Sequence, residues 1–191
     1  HIQCLEQTDA LGARNYIVEK PAAADAPSWQ ACTESMSDAQ IFVVHNYLFS
    51  AAFQFCRQML VDPVEITTTF NKDRTVDDAR GRGAGPDGHL PHVLQVEAPH
   101  QFAMLLAIAP DLAVTHSEEF LGGGRGAEPL APVAATVALS DHQGRRALLH
   151  TDLSKPRERN LRVVERDGRI IEVKFPIDNE LVSTVTEYVP G

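Results

Sequence analysis

Asn15-Tyr16-Ile17-Val18-Glu19-Lys20-Pro21 and, farther along, Ile41-Phe42-Val43-Val44-His45-Asn46-Tyr47 decide the fold. Each is a short apolar, β-branched run that stops at charged or polar residues, the pattern of a strand buried on both faces. Between them Asp25-Ala26-Pro27-Ser28 supplies the N-cap and first-turn chemistry of a helix running to about Asp38. Strand, crossover helix and strand make a parallel βαβ unit. Ligands of open α/β sheets bind beyond the carboxyl ends of such strands, so Glu19-Lys20 and His45-Asn46-Tyr47 are where chemistry is expected.

Upstream, His1 to Gln7 reads as part of an amphipathic helix that no capping residue precedes, and Gly12 stands where a helix C-terminal glycine belongs. With no initiating Met, the beginning of the protein is expected to be missing. Downstream, Ser50 to Leu60 suits a connecting helix, and the rhythm changes beyond Asp62-Pro63. Val64 to Asn71 is strand-like, Arg80 to Gly88 is a glycine-rich loop, and Glu97 to Ile108 has the length and all-round apolarity of a buried helix with His100 in its first turn. Strands are then expected over Leu112–Ser117, Val133–Ser140, Arg145–Leu153, Leu161–Arg166 and Arg169–Phe175, with hairpin turns at Asp141-His142-Gln143-Gly144 and Asp167-Gly168. This adds a mostly antiparallel sheet. On the strand from Val133 to Ser140, Ala134, Thr136, Ala138 and Ser140 leave a flat small-residue face, open either to solvent or to a second subunit.

The 191 residues carry 17 Lys+Arg against 26 Asp+Glu, a net charge of −9, which makes a nucleic-acid backbone an unfavourable partner. The longest apolar stretch, Phe102 to Val114, is broken by Pro110 and Asp111 and falls short of the about 20 residues that cross a bilayer, so no membrane span is expected. Cys4, Cys32 and Cys56 are an odd, widely spaced set without a signal peptide, which reads as reduced thiols in a cytoplasmic protein.

Several of these segments are similar to the glucose-fructose oxidoreductase, inositol dehydrogenase and rhizopine-catabolism (Gfo/Idh/MocA) family. Glu19-Lys20-Pro21 resembles its "EKP" strand end, and His1 falls where that family has a His opening the preceding helix. Asn46-Tyr47-Leu48-Phe49 with Ala52-Phe53 resembles the segment after the last nucleotide-domain strand. Glu97-Ala98-Pro99-His100 resembles the segment holding the active-site His, and Arg162-Val163-Val164 through Val173 resembles a late hairpin. The resemblance implies an α/β protein: residues 1–47 as the end of a Rossmann domain, and 48–191 as a carboxy-terminal α/β domain with a large, mostly antiparallel open sheet for substrate binding and oligomerisation. It also implies an oxidoreductase using NAD or NADP on a hydroxyl or keto carbon of a sugar, cyclitol or similar polyol. The glycine-rich phosphate turn of such a fold is absent from this sequence, so the fragment by itself is expected to be inactive.

Hydride transfer from a carbinol needs a group that takes the hydroxyl proton. The resemblance assigns this to Lys20 and His100, with Glu19, Lys20 and Pro21 at the cofactor and Asn46, Tyr47, Glu97 and His100 at the substrate. Each has a plainer reading: a surface pair of Lys20 with Glu19, a satisfied core histidine at His100, and strand-end packing at Asn46 and Tyr47. In the first turn of its helix, His100 would be held neutral by the positive end of the dipole. Two positions depart from the family: Val96 stands where it usually has an Asp, with Glu97 adjacent, and Leu48 where it often has Arg. These leave open a non-catalytic binding or oligomerisation module of the same descent. His89, His92 and His100 match no zinc spacing, so no metal is expected. Leu121 to Gly126 reads as a turn, and Lys155-Pro156-Arg157-Glu158-Arg159 as a solvated connection.

Overall fold

The structure, a computed structural model, describes residues 1–20, 22–23, 25–73, 92–122, 131–177 and 180–191. It divides into two units, His1–Asn46 and Tyr47–Gly191.

In the first unit the order is α1 (Ile2–Asp9), β1 (Asn15–Glu19), α2 (Ala26–Ser35) and β2 (Gln40–Val44). The two strands pair in parallel, Asn15 opposite Gln40 through Glu19 opposite Val44, as the crossover pattern requires. Asp25 caps α2, its carboxylate accepting from the Ser28 backbone N–H at 2.7 Å. Leu5, Tyr16, Val18, Cys32 and Met36 form a small core against one face of the pair. The strands are not buried on both faces as their composition predicts: Ile17 is 82% and Phe42 60% exposed. The Arg80–Gly88 loop and most of the Leu121–Gly126 turn lie outside the described residues.

A 3-10 turn over Asn46–Phe49 leads to α3 (Ala51–Met59), capped by Ser50, whose hydroxyl accepts from Phe53 N–H at 3.2 Å. The second unit continues with β3 (Pro63–Asn71), α4 (Val93–Val96), α5 (Ala98–Ile108), β4 (Ala113–Gly122), β5 (Ala131–Ser140), β6 (Arg146–Asp152), β7 (Glu158–Glu165), β8 (Ile170–Lys174) and β9 (Thr184–Tyr188). The strands form one seven-stranded sheet in the order β4-β5-β6-β3-β7-β8-β9, antiparallel throughout except for β3 beside β6. Gly144 and Gly168, at φ +79° and +88°, turn the β5–β6 and β7–β8 hairpins where an L side chain would be strained. One face of this sheet is covered by helices. Ile66, Phe70, Leu149, Leu161, Val163, Ile171 and Val173 point into it and pack with Phe53 and Cys56 of α3 and Met104 and Leu105 of α5.

Three expectations need correction. The helix at Ala98–Ile108, apolar on nearly all sides, is not buried all round: Ala98, Gln101, Met104 and Leu105 face inward at helical spacing, while Leu106 is 40% exposed. β4 runs on to Gly122, and β7 begins at Glu158, inside the stretch read as a solvated connection. Neither α4 nor β9 is legible as an element, one being a single turn and the other an edge strand exposed along most of its length.

Which face is covered can be tested by truncation. Leu149→Ala, at a fully buried position of β6, is expected to cost about 2–5 kcal/mol and Leu106→Ala under about 1 kcal/mol, read from urea unfolding midpoints.

Candidate functional site

In the first unit the β1–β2 register brings Lys20 and His45 out at adjacent carboxyl strand ends, since Glu19 lies opposite Val44. That is the end of a parallel sheet where ligands bind. The two side chains feel one another electrostatically: burial first, and then the Lys20 charge, hold the His45 imidazole below its ordinary pKa. His45 is therefore a neutral ring near neutrality, and its Nδ1 is buried without a hydrogen-bond partner. Glu19 and Asn46 are exposed, and Pro21 lies outside the described residues.

The second unit carries a different cluster, centred on Tyr47. Its ring meets Phe70 of β3 edge-on at 4.9 Å between centroids, the His100 imidazole of α5 at 5.0 Å, and Phe175, just past β8, at 5.0 Å. The Arg159 guanidinium, from the first turn of β7, stands 5.7 Å from the same centroid. Burial above all drives the Tyr47 phenol up to about 12, with Arg159 and Arg157 opposing and Glu97 adding to the rise. Tyr47 therefore keeps its proton and can donate a hydrogen bond, but is no base at neutral pH.

His100 owes its position to its neighbour. Gln101, fully buried, donates through Nε2 to the backbone carbonyls of Thr68, at 3.2 Å, and His150, at 2.8 Å, pinning the first turn of α5 to β3 and β6. His100 itself is 9% exposed. Glu97 is buried directly before the helix, close enough to raise Tyr47, whereas Val96 is a buried residue of α4 that offers no carboxylate. Leu48 packs partly buried against the main core. His92 ends near Glu119, 3.5 Å away, and among the described residues no three His, Cys, Asp or Glu gather as a metal site. Burial pushes the Cys56 thiol up to about 11, which leaves it protonated and unreactive at neutral pH.

Of the residues singled out in the sequence, the structure brings together Lys20 with His45 and Tyr47 with His100, the second with Glu97 beside it, whereas the sequence reading paired Lys20 with His100. It misses Arg159. The alternating signs of Lys155 to Arg159 suggest solvent, yet Arg159 shares the helix-covered side of β7 with Leu161 and Val163, and that period-two placement is the signal that could have found it.

No family model matches the sequence, and no curated protein matches it. Solved structures do. A dehydrogenase (MviM) from Clostridium difficile superposes with a TM-score of 0.72 at 15% identity, over 100% of this chain and 59% of that one. The WlbA dehydrogenase from Bordetella pertussis, in complex with NADH and UDP-GlcNAcA, gives 0.73 at 15% identity over 92% and 52%. An inositol dehydrogenase homolog from Azotobacter vinelandii, complexed with NAD+, gives 0.73 at 14% identity over 98% and 54%.

The chain has the fold of these dehydrogenases. It spans between 52% and 59% of their length. The mostly antiparallel sheet expected from the strand pattern is the sheet of the fold that these dehydrogenase structures have.

Two titrations check the electrostatics. In an ultraviolet titration Tyr47→Phe removes a phenol ionising at about pH 12; loss of a step near pH 10 instead would contradict the buried placement. By NMR, Lys20→Met moves the His45 midpoint upward but not fully to the ordinary imidazole value, since burial is the larger cause.

Proposed function

We propose that this chain is part of a cytoplasmic oxidoreductase that moves a hydride between NAD or NADP and a hydroxyl or keto carbon of a sugar, cyclitol or related polyol. The observation that carries the reading is the buried His100–Tyr47 contact, in a chain whose fold is that of NAD-binding dehydrogenases. The cofactor's nicotinamide end fits the strand ends of the first unit, where the orphaned Nδ1 of His45 offers a buried acceptor or donor and Lys20 a positive charge. Glu19, Lys20 and Pro21 would hold it, and bound there it would accept or return the hydride.

The protein's own groups handle the proton and the charge. As a carbinol is oxidised its oxygen must lose a proton, and in reduction must regain one. The His100 imidazole takes and returns that proton. The Lys20 ammonium stabilises negative charge developing on the same oxygen. Tyr47, kept protonated by burial, donates a hydrogen bond and braces the imidazole edge-on, while Asn46 and Glu97 accept from further hydroxyls of a polyol. UDP-GlcNAcA bound to WlbA is a sugar of the kind proposed. The 191 residues alone, spanning about half of such enzymes, are proposed to be inactive.

A homo-oligomer is proposed through the open sheet face. There Glu65, Thr67, Ala138, Ser140, Arg146 and Leu148 line a shallow depression of about 590 Å³ that no helix among the described residues covers. The second reading, a non-catalytic module of the same descent, is favoured by one observation: Val96, buried and without a carboxylate, where the family has an Asp.

Turnover separates the two. In the complete protein carrying this chain, His100→Ala and Lys20→Ala are each expected to lower kcat/KM about 10²–10⁴-fold on the best substrate of a polyol panel. Near-normal turnover in both variants would remove the proposed site. No turnover by the unmutated protein across the panel would favour the module.

A further inference from the structure

Arg159 has a use that neither folding nor proton transfer accounts for. Its guanidinium lies over the Tyr47 ring, yet its Nε is buried without a hydrogen-bond partner and its Nη1 reaches only the Pro176 carbonyl, at a long 3.4 Å. Among the described residues no carboxylate pairs with it. A buried guanidinium nitrogen left unsatisfied is costly, and a planar fork of donors is the group that matches a carboxylate or phosphate in two-point fashion.

The surroundings point the same way. Arg157, Arg159, Asn160, Lys174 and Phe175 line a cavity of about 290 Å³ where β7 begins and β8 ends. Two carboxylates also border it, and both are engaged. Glu158 accepts from Asn71 Nδ2 at 3.1 Å and Asn160 Nδ2 at 2.7 Å, and Glu180 accepts from the Ile177 backbone N–H at 3.1 Å. Arg157 and Arg159 thus border one small cavity in a protein whose net charge is −9, and Arg159 stands over the ring that touches His100, while Lys174 borders the cavity from the open sheet face.

We propose that Arg159, with Arg157, forms an oxyanion-binding subsite next to the Tyr47–His100 pair, so that the substrate is a polyol or sugar bearing a carboxylate or phosphate group. This rests on the dehydrogenase reading for its substrate, but the subsite itself binds anions without cofactor or turnover. Arg159 is a substrate-binding residue, and the anion it holds sets which carbon of the substrate faces His100. Carboxylate and phosphate present the same paired oxygens to the fork, and the two sources are distinguished by experiment.

The test is binding to the chain in the absence of cofactor. Inorganic phosphate, glucuronate and, as the neutral control, glucose are titrated while the Arg159 Nε–H resonance is followed by NMR, assigned by its disappearance in Arg159→Lys. Phosphate, glucuronate or both should shift that resonance saturably and glucose should not; the anion that acts names the source. By calorimetry Arg159→Gln should weaken the active anion about tenfold or more, Arg159→Lys should weaken it less, and Arg162→Gln, on the open sheet face, should leave it unchanged. If Arg159→Gln does not fold, the wild-type resonance decides. Failure of both anions to move it, or unaltered affinity in a folded Arg159→Gln, overturns the subsite. Either result stands whatever the turnover of the complete protein, so it cannot be confused with failure of the dehydrogenase reading.

Discussion

The edge-to-face packing of Tyr47 is the contact on which the second unit's chemistry depends. One ring touches β3 through Phe70, α5 through His100 and the end of β8 through Phe175, and supports Arg159 of β7. Such aromatic pairs contribute about 0.5–1.5 kcal/mol each beyond area burial, and three of them meet at the Tyr47 ring and hold it in place. The same burial that makes the packing favourable makes a phenolate costly and drives the Tyr47 pKa up to about 12. Packing and proton chemistry are one constraint here.

His100 reaches that ring because Gln101 does not behave as a surface glutamine. A fully buried amide would be expensive without partners; Gln101 finds them for its Nε2 in carbonyls of the parallel pair β3 and β6, while its Oε1 stays buried without one. Among the described residues the one parallel pair of this sheet, β3 with β6, is thus where α5 is anchored by its first turn. In the first unit Lys20 and His45 are placed differently, by strand register, and burial first, then the Lys20 charge, holds the His45 imidazole below its ordinary pKa.

Much of this was readable in the sequence because it rests on local rules. The two apolar, β-branched runs ending at Glu19-Lys20 and His45-Asn46 announce parallel strands, Asp25 and Ser50 announce helix starts, and Gly168 announces a hairpin. What escaped has a physical reason in each case. β9 is exposed along most of its length, with Val185 packed on the core, and β4 is exposed almost throughout, so burial leaves little alternation to mark β9 or the far end of β4. α4 is one turn long and shows no period. Arg159 was hidden by composition: mixed charges signal solvent, while its burial is imposed by β7 joining a sheet whose partner strand is eighty-odd residues away in sequence, Phe70 standing opposite it. Gln101 was silent for the same cause, since its acceptors are carbonyls of distant strands.

The central proposal is that the Lys20 ammonium and the His100 imidazole serve a single substrate oxygen. A crystal structure of the complete protein with nicotinamide cofactor and a bound polyol measures this directly. The account predicts Lys20 Nζ and a His100 ring nitrogen each within about 3 Å of the same hydroxyl oxygen. Side chains opening onto separate surfaces, with only one of them at the substrate, would contradict it.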